Sequence, residues 1–166
     1  MGVVDAIGKS LEKVFGSRNQ RLIKSYTKRV AVINSLEDEI RKLTDAQLRE
    51  KTQSLRDRIA NGEKAVDVQP EAFAVMREAL DRHVGIRNIF NPAFKDQFDV
   101  SALPSDVQKQ YVTVLEQMEA TEPIRLPGSG SEDLIPGYMQ VDIPNEIYNA
   151  VREIYLEPST HLREGR

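Results

Sequence analysis

The sequence predicts a mostly α-helical protein. Through long runs of the chain, apolar residues recur every three or four positions, which is the spacing of one face of a helix. Residues 44–47 and 105–108 both have the pattern of a capping box, in which the first side chain bonds the fourth amide. Only residues 139–143 alternate as a strand would. We therefore expect long amphipathic N-terminal helices, shorter helices after them, and a partly irregular, partly helical remainder.

The N-terminal third is expected to form two amphipathic helices separated at Gly16 and Ser17. The first covers residues 3–15, with Lys9 and Lys13 off its apolar face. That face consists of Val3, Val4, Ile7, Leu11, Val14 and Phe15. The second runs without interruption over residues 19–43, and its apolar residues are Leu22, Ile23, Tyr26, Val30, Ile33, Leu36, Ile40 and Leu43.

Two shorter helices are expected next. The capping box at Thr44 begins a helix that ends at Asn61 and Gly62, since glycine readily adopts the left-handed conformation that ends helices. Pro70 suits the first position of a further helix, where its missing amide costs nothing. That helix would end near Gly85 and turn four large residues inward, namely Phe73, Met76, Leu80 and Val84.

Periodicity weakens after Gly85. Residues 86–103 are expected to be mostly irregular, with three phenylalanines in the core. The capping box at Ser105 predicts a helix to about Ala120 with an apolar face of Val107, Tyr111, Val114, Leu115 and Met118. Residues 121–137 are rich in Pro and Gly and predict a loop. A last helix is expected from Pro144 to residue 157, followed by a polar end.

Composition excludes several kinds of chemistry. The 166 residues include no Cys and two His, which excludes disulfides, thiol nucleophiles and Cys-ligated metals and disfavours a His-rich metal site. No apolar run approaches the ~20 residues of a membrane-spanning helix. The acidic groups at 37–39 and 132–133 have no catalytic partners around them, and His83 is interpreted as a cation at a helix end. We expect no catalytic, cofactor or metal site in this chain.

Charge is distributed unevenly along the chain. The net charge is −3, but residues 1–30 carry seven basic and two acidic side chains. That segment therefore has a charge of +5 and the remainder −8. A basic arm on an acidic body indicates an anionic partner for the arm. Because stacking aromatics are scarce in the arm, nucleic acid is not expected to be that partner.

Five blocks of sequence, in the same order and spacing, resemble the opening of SecA, the ATPase motor of bacterial preprotein translocation. They lie at residues 15–26, 32–37, 43–52, 56–63 and 70–79. The resemblance covers about residues 10–87 and ends after Gly85-Ile86-Arg87. Beyond it, Phe98-Asp99-Val100 repeats part of the family's adenine-contacting segment, but Ser101 replaces the glutamine. We interpret residues 88–166 as a lineage-specific insertion before a nucleotide-binding core that is absent.

The resemblance implies the N-terminal region of an ATP-dependent protein translocase motor. ATP and Mg²⁺ serve the resembled motor, whereas the glycine-rich residues 127–131 lack the lysine of a phosphate-binding loop, so this chain alone should be inactive. The implied partners are the SecYEG channel, exported preproteins, anionic phospholipid and a second copy of the chain. The implied location is cytoplasmic, with peripheral association with the inner membrane. The residues expected to dock on membrane and channel are Val3, Val4, Ile7, Lys9, Leu11, Lys13, Val14, Phe15, Arg18, Arg21 and Lys24.

Two other interpretations of the arm remain open. An amphipathic helix over residues 3–15 could equally pack on its own domain or on a second protomer. The basic residues after it could form an ordinary solvated helix face. On these interpretations the chain would be a stand-alone helical adaptor or oligomerisation module whose basic arm binds an anionic surface.

Overall fold

Six α-helices contain most of the residues that the computed structural model describes, which are residues 18–125 and 134–155. They are α1 (Arg18–Ser35), α2 (Glu37–Arg41), α3 (Asp45–Ala60), α4 (Ala65–Leu80), α5 (Ser105–Ala120) and α6 (Asn145–Tyr155). The mostly α-helical fold class is therefore confirmed. The helix expected over residues 3–15, the centre of the predicted loop and the polar end lie outside the described residues.

The prediction of one uninterrupted helix over residues 19–43 is wrong, because the chain breaks at Leu36 between α1 and α2. The Ser35 hydroxyl donates to the carbonyl oxygen of Val32 at 2.8 Å. The Leu36 amide donates instead to Ile33, three residues back, at 3.3 Å. Side-chain hydrogen bonds of this kind compete with the helical ladder and bend helices.

Helix α3 begins and ends where the sequence predicts. The Thr44 hydroxyl accepts from the Gln47 amide at 3.2 Å, and the Gln47 side chain accepts from the Thr44 amide at 2.9 Å. This reciprocal pair confirms the capping box. At the other end Gly62 has a φ of +98°, the left-handed region that favours glycine.

Two predictions about α4 are wrong. It begins at Ala65, so Pro70 lies inside the helix, where its missing amide costs one hydrogen bond. Its buried residues are Val68, Ala74, Val75 and Glu78. The four residues expected to point inward, Phe73, Met76, Leu80 and Val84, are between 49% and 66% exposed. The inward face is instead occupied by smaller side chains and by one carboxylate.

Short helical turns replace the irregular segment expected after α4. A π-helical turn covers Asp81–Gly85, and 3-10 turns cover Ile86–Phe90, Pro92–Gln97 and Val100–Ala102. The Phe90 ring is buried and stacks on Tyr111 with 4.7 Å between ring centroids. Phe90 thus has the core role expected for the three phenylalanines of this segment, whereas Phe94 and Phe98 are only partly buried.

Helix α5 is confirmed, but its predicted capping box is wrong. Pro104 precedes the helix, and no side chain caps its first turn. Ser105 is the first helical residue rather than the N-cap. The side-chain NH2 group of Gln108 donates to the carbonyl oxygens of Leu103 at 2.7 Å and Ser101 at 3.1 Å. Val107, Val114 and Met118 are buried as expected.

The strand predicted over residues 139–143 is also wrong. Gly137–Met139 forms a 3-10 turn, and the carbonyl oxygens of Tyr138 and Val141 accept hydrogen bonds from the Arg87 side chain rather than from a strand. Within the described residues the strands are β1 (Ile124–Arg125) and β2 (Leu134–Ile135), which pair antiparallel. Helix α6 then begins at Asn145, one residue after Pro144.

The buried apolar residues form two clusters. The first joins α2, α3 and α4 and consists of Ile40, Leu48, Leu55, Val68, Ala74 and Val75. The second joins the 3-10 turn at 86–90 to α5 and α6 and consists of Ile86, Ile89, Phe90, Leu103, Val107, Val114, Met118, Ile143, Ile147, Tyr148, Ala150 and Val151. Helix α1 contributes no fully buried residue to either cluster.

Candidate docking surface

Helix α1 presents a basic face to solvent. Arg21, Lys24 and Lys28 fall within about 60° of one another around a helix that turns 100° per residue. All three are exposed, as is Arg18 at the start of the helix. Among the residues that the structure describes, no ion pair involves any of these four. The described part of the chain therefore leaves this positive charge uncompensated.

The opposite face of α1 is apolar and only partly covered. Leu22, Ile23, Tyr26 and Val30 lie on this face and are 43–56% exposed. Large exposed apolar groups in one stripe mark interaction surfaces more often than they mark ordinary protein surface. Helix α1 thus combines a cationic face and an apolar face, which is the composition of segments that bind at anionic membrane surfaces.

A groove separates α1 from α4 and has a volume of about 540 Å³. Its apolar lining includes Tyr26, Val30, Ile33, Pro70 and Phe73. Polar contacts hold its two walls together. The Arg29 side chain donates to Gln69 at 3.1 Å, and Arg77 donates to Asn34 at 2.7 Å and to Glu37 at 3.1 Å.

The register of these contacts shows how far α1 projects. Because residue 29 meets residue 69 and residue 34 meets residue 77, the two helices run in the same direction. By these two contacts the start of α4 at Ala65 lies level with residues 22–25 of α1. At 1.5 Å per residue, the end of α1 that begins at Arg18 therefore extends about 6–10 Å beyond α4. The basic residues Arg18 and Arg21 are on this projecting part, and Lys24 lies at its edge.

Eleven residues were predicted to dock on membrane and channel, and the structure describes three of them. Arg18, Arg21 and Lys24 lie on the exposed projection of α1. The other eight, Val3, Val4, Ile7, Lys9, Leu11, Lys13, Val14 and Phe15, lie outside the described residues. Docking by these residues stays a prediction.

A buried ionic cluster lies between the two apolar cores. Arg82 is 0% exposed, and its guanidinium donates to Asp45 at 2.8 Å, to Glu78 at 2.7 Å and to the Leu43 carbonyl oxygen at 2.8 Å. The same guanidinium lies 4.6 Å from the centre of the Tyr148 ring. Arg152 of α6 also donates to Glu78, at 2.7 Å. The cluster therefore joins α3 and α4 to α6.

The Asp45 carboxylate is the acceptor at the centre of this cluster. It accepts hydrogen bonds from Arg82, Arg87, the Tyr148 hydroxyl at 2.9 Å and the Ile143 amide at 3.1 Å. Burial raises the pKa of Asp45, but these hydrogen bonds outweigh it, and the net pKa is lowered from its usual value. Burial likewise raises the pKa of the Tyr148 hydroxyl. The cluster thus keeps the Asp45 carboxylate charged and the Tyr148 phenol neutral at neutral pH.

Sequence reasoning missed this cluster. The spacing of Glu78 and Arg82 is that of an ion pair on one helix, and such pairs are usually solvated. The sequence did carry a signal, since Val75, Glu78 and Arg82 share one helix face, but the larger apolar residues on the other face pointed to that face as the core side. The partners in Asp45 and Arg152 are distant in sequence, so pattern alone could not group them.

The acidic and histidine side chains that the sequence raised as candidates have the following surroundings in the described residues. Within them, no group of three or more His, Asp or Glu side chains is arranged to hold a metal ion. Glu37 pairs with Arg41 and Arg77, which agrees with a structural role. Burial and the nearby Arg87 charge lower the pKa of His83, so it is neutral at pH 7 rather than the helix-end cation we expected. In the part of the chain that the structure describes, no helix is apolar over a length that could span a membrane.

Comparison with known proteins identifies relatives of the first half of the chain. The family model of the SecA DEAD-like domain matches residues 11–108. The "Protein translocase subunit SecA" of Burkholderia vietnamiensis is 59% identical over 78 residues, that of Burkholderia multivorans 58%, and that of Paraburkholderia xenovorans 56%. Each alignment covers 47% of this chain and 8% of the relative, so the chain matches a small part of these proteins. No solved structure matches the chain.

Proposed function

Since this chain belongs to the SecA family, we propose that it acts in ATP-dependent protein export, as a helical region that docks a translocase on the membrane and its channel. The observation that carries the proposal is the projection of α1. Arg18, Arg21 and Lys24 lie there without ionic partners among the described residues, next to an exposed apolar face. Basic residues near an anionic bilayer contribute about 1 kcal/mol of binding each.

The proposed partners follow from the family and from this surface. They are anionic phospholipid, the SecYEG channel and exported preproteins, with a second copy of the chain as a further partner. The proposed location is the cytoplasmic side of the inner membrane, with peripheral attachment. Residues 3–15 would add apolar contacts to the charge contacts of α1, since their predicted helix has one apolar face.

A second contribution is packing against a motor domain by the helices that end at Gly85. Exposed apolar side chains support it, since Met76 and Leu80 on α4 and Val84 in the π-helical turn are all largely exposed. We retain the division into residues 1–87 and an insertion over 88–166 as part of the proposal. The buried ionic cluster would then fix the insertion onto the helices that precede it.

ATP and Mg²⁺ are the cofactors that the family implies, and the residues present do not fit them. The glycine-rich residues 127–131 contain no lysine to neutralise phosphate charge. Asp99, in the segment that resembles the adenine-contacting motif, instead accepts from the amide and hydroxyl of Ser101 within a short turn. We therefore assign docking, and no step of nucleotide hydrolysis, to these residues.

Vesicle flotation tests the proposal. We expect the chain to float with vesicles that contain anionic phospholipid and to stay behind with purely zwitterionic vesicles. Deletion of residues 1–15 should weaken flotation by removing the predicted apolar contacts, and added salt should weaken it by screening α1. Equal binding to both kinds of vesicle, or none to either, would contradict the proposal.

A further inference from the structure

The apolar face of α1 has no partner along its first half in the described structure. Helix α4 begins level with residues 22–25, so Leu22 and Ile23 lie at or beyond its first turn and are 48% and 56% exposed. Tyr26 and Val30 lie at the groove and are still 54% and 43% exposed. The stripe and the groove form one continuous apolar surface, which needs an occupant about as long as the stretch from residue 18 to residue 30.

We infer that residues 3–15 of this same chain dock antiparallel along α1 and enter the groove between α1 and α4. A helix of 13 residues is about 20 Å long, and the stretch from Arg18 to Val30 is about 18 Å. The chain outside the described N-terminal end therefore has the length that the surface requires. Gly16 and Ser17 stand where the chain must reverse, and glycine suits such a reversal.

The apolar pattern of the segment also matches the surface. In an antiparallel hairpin closed at residues 16–17, residue 11 lies opposite residue 23 and residue 4 opposite residue 30. Leu11 then meets Ile23, and Val4 meets Val30 at the groove. Lys9 lies about 180° from the centre of the apolar face and stays in solvent. Docking buries apolar surface on both helices without burying a charge.

Docking within one chain is favoured over docking between two copies. A short linker holds its two ends at a millimolar effective concentration, far above a micromolar concentration of a second chain. The inference does not rest on the proposed function, since this contact needs no membrane. It adds that residues 3–15 have two alternative partners, their own α1 and the lipid surface.

Cross-linking tests the inference cleanly, because the chain contains no cysteine. In the 166-residue chain without lipid, Val4→Cys with Val30→Cys should give an intrachain product with a short bismaleimide. The matched control is Asp5→Cys with Val30→Cys, in which the thiol lies one residue from position 4 but about 140° from the centre of the apolar face. We expect the first pair to react at least about tenfold faster. Docking would hold its two thiols close together, which gives a higher effective concentration than a flexible linker alone provides.

Two results would overturn the inference. Equal rates in the two pairs would mean that the segment does not dock by its apolar face, and predominantly interchain products would mean that a second copy is the occupant. Hydrogen exchange provides a measurement that needs no cysteine. The amides of residues 22–30 should exchange faster after deletion of residues 1–15, and unchanged exchange would also overturn the inference, whatever the flotation result.

Discussion

Replacing Arg82 by alanine should lower the free energy of unfolding by about 3–5 kcal/mol, the cost of removing one partner from a buried ion pair. Arg82 is fully buried and bonds both Asp45 and Glu78. Without the guanidinium, these carboxylates would lie in the interior with less positive charge, and the Leu43 carbonyl oxygen would lose its donor. The contact with Tyr148 would also be lost.

Denaturant unfolding measures this effect, with Arg49→Ala as the matched control. Arg49 also pairs with an aspartate, Asp142, at 2.7 Å, but its side chain is 62% exposed. Exposed pairs contribute at most about 1 kcal/mol, so the control should lose little stability. Losses of similar size in the two variants would show that the buried cluster does not hold the halves of the fold together.

Replacing Gly137 by alanine should lower the free energy of unfolding by about 3 kcal/mol, at the upper end of overpacking costs. A methyl group at this position would lie 2.1 Å from the carbonyl oxygen of Met118 and 2.6 Å from that of Thr121. Both atoms belong to the backbone at the end of α5, so they cannot rotate away as a side chain could. The substitution would therefore separate the 3-10 turn from α5.

Thermal or denaturant unfolding checks this prediction against Gly85→Ala. The nearest atom to a methyl group at Gly85 is 3.8 Å away, an ordinary contact, and its φ is negative. Because alanine also favours helical backbone, the Gly85 variant should change stability by less than about 1 kcal/mol. A small loss in Gly137→Ala would argue against the close approach of the turn to α5.

The features that local sequence determines were predictable. The capping box of α3 and its glycine end depend on residues within a few positions of each other, and both are confirmed. The apolar face of α5 follows from periodicity alone, since the large apolar residues of that helix, apart from the exposed Val112, lie on one side. The family resemblance rests on blocks of the same kind.

The features that depend on tertiary contacts were not predictable in the same way. The large residues of α4 were expected inside, but the core side of that helix is filled by Ala74, Val75 and Glu78. Helical periodicity is read from large apolar residues, so it cannot predict that a carboxylate is buried beside an arginine. The break after Ser35 and the missing cap of α5 both involve side chains that donate to carbonyl oxygens, and several such bonds are open to each residue in the unfolded chain.

The candidate docking surface was predictable from local sequence in part, and in part it depends on tertiary contacts. Periodicity and charge alone place Arg18, Arg21 and Lys24 on a helix, and the structure adds that this helix projects past α4 with its apolar face uncovered. That projection depends on contacts between residues 29 and 69 and between 34 and 77, which no local pattern encodes.

Partition of matched charge variants onto anionic vesicles tests the docking role of α1 most directly. Arg21→Gln with Lys24→Gln removes two charges from the projection, and Lys95→Gln with Lys109→Gln removes two exposed charges elsewhere. At about 1 kcal/mol per charge, the first pair should bind about 30-fold more weakly than the unchanged protein. The second pair, with the same net charge, should bind nearly as well as the unchanged protein. Equal weakening in both pairs would contradict the account, because net charge and not the face of α1 would then govern binding.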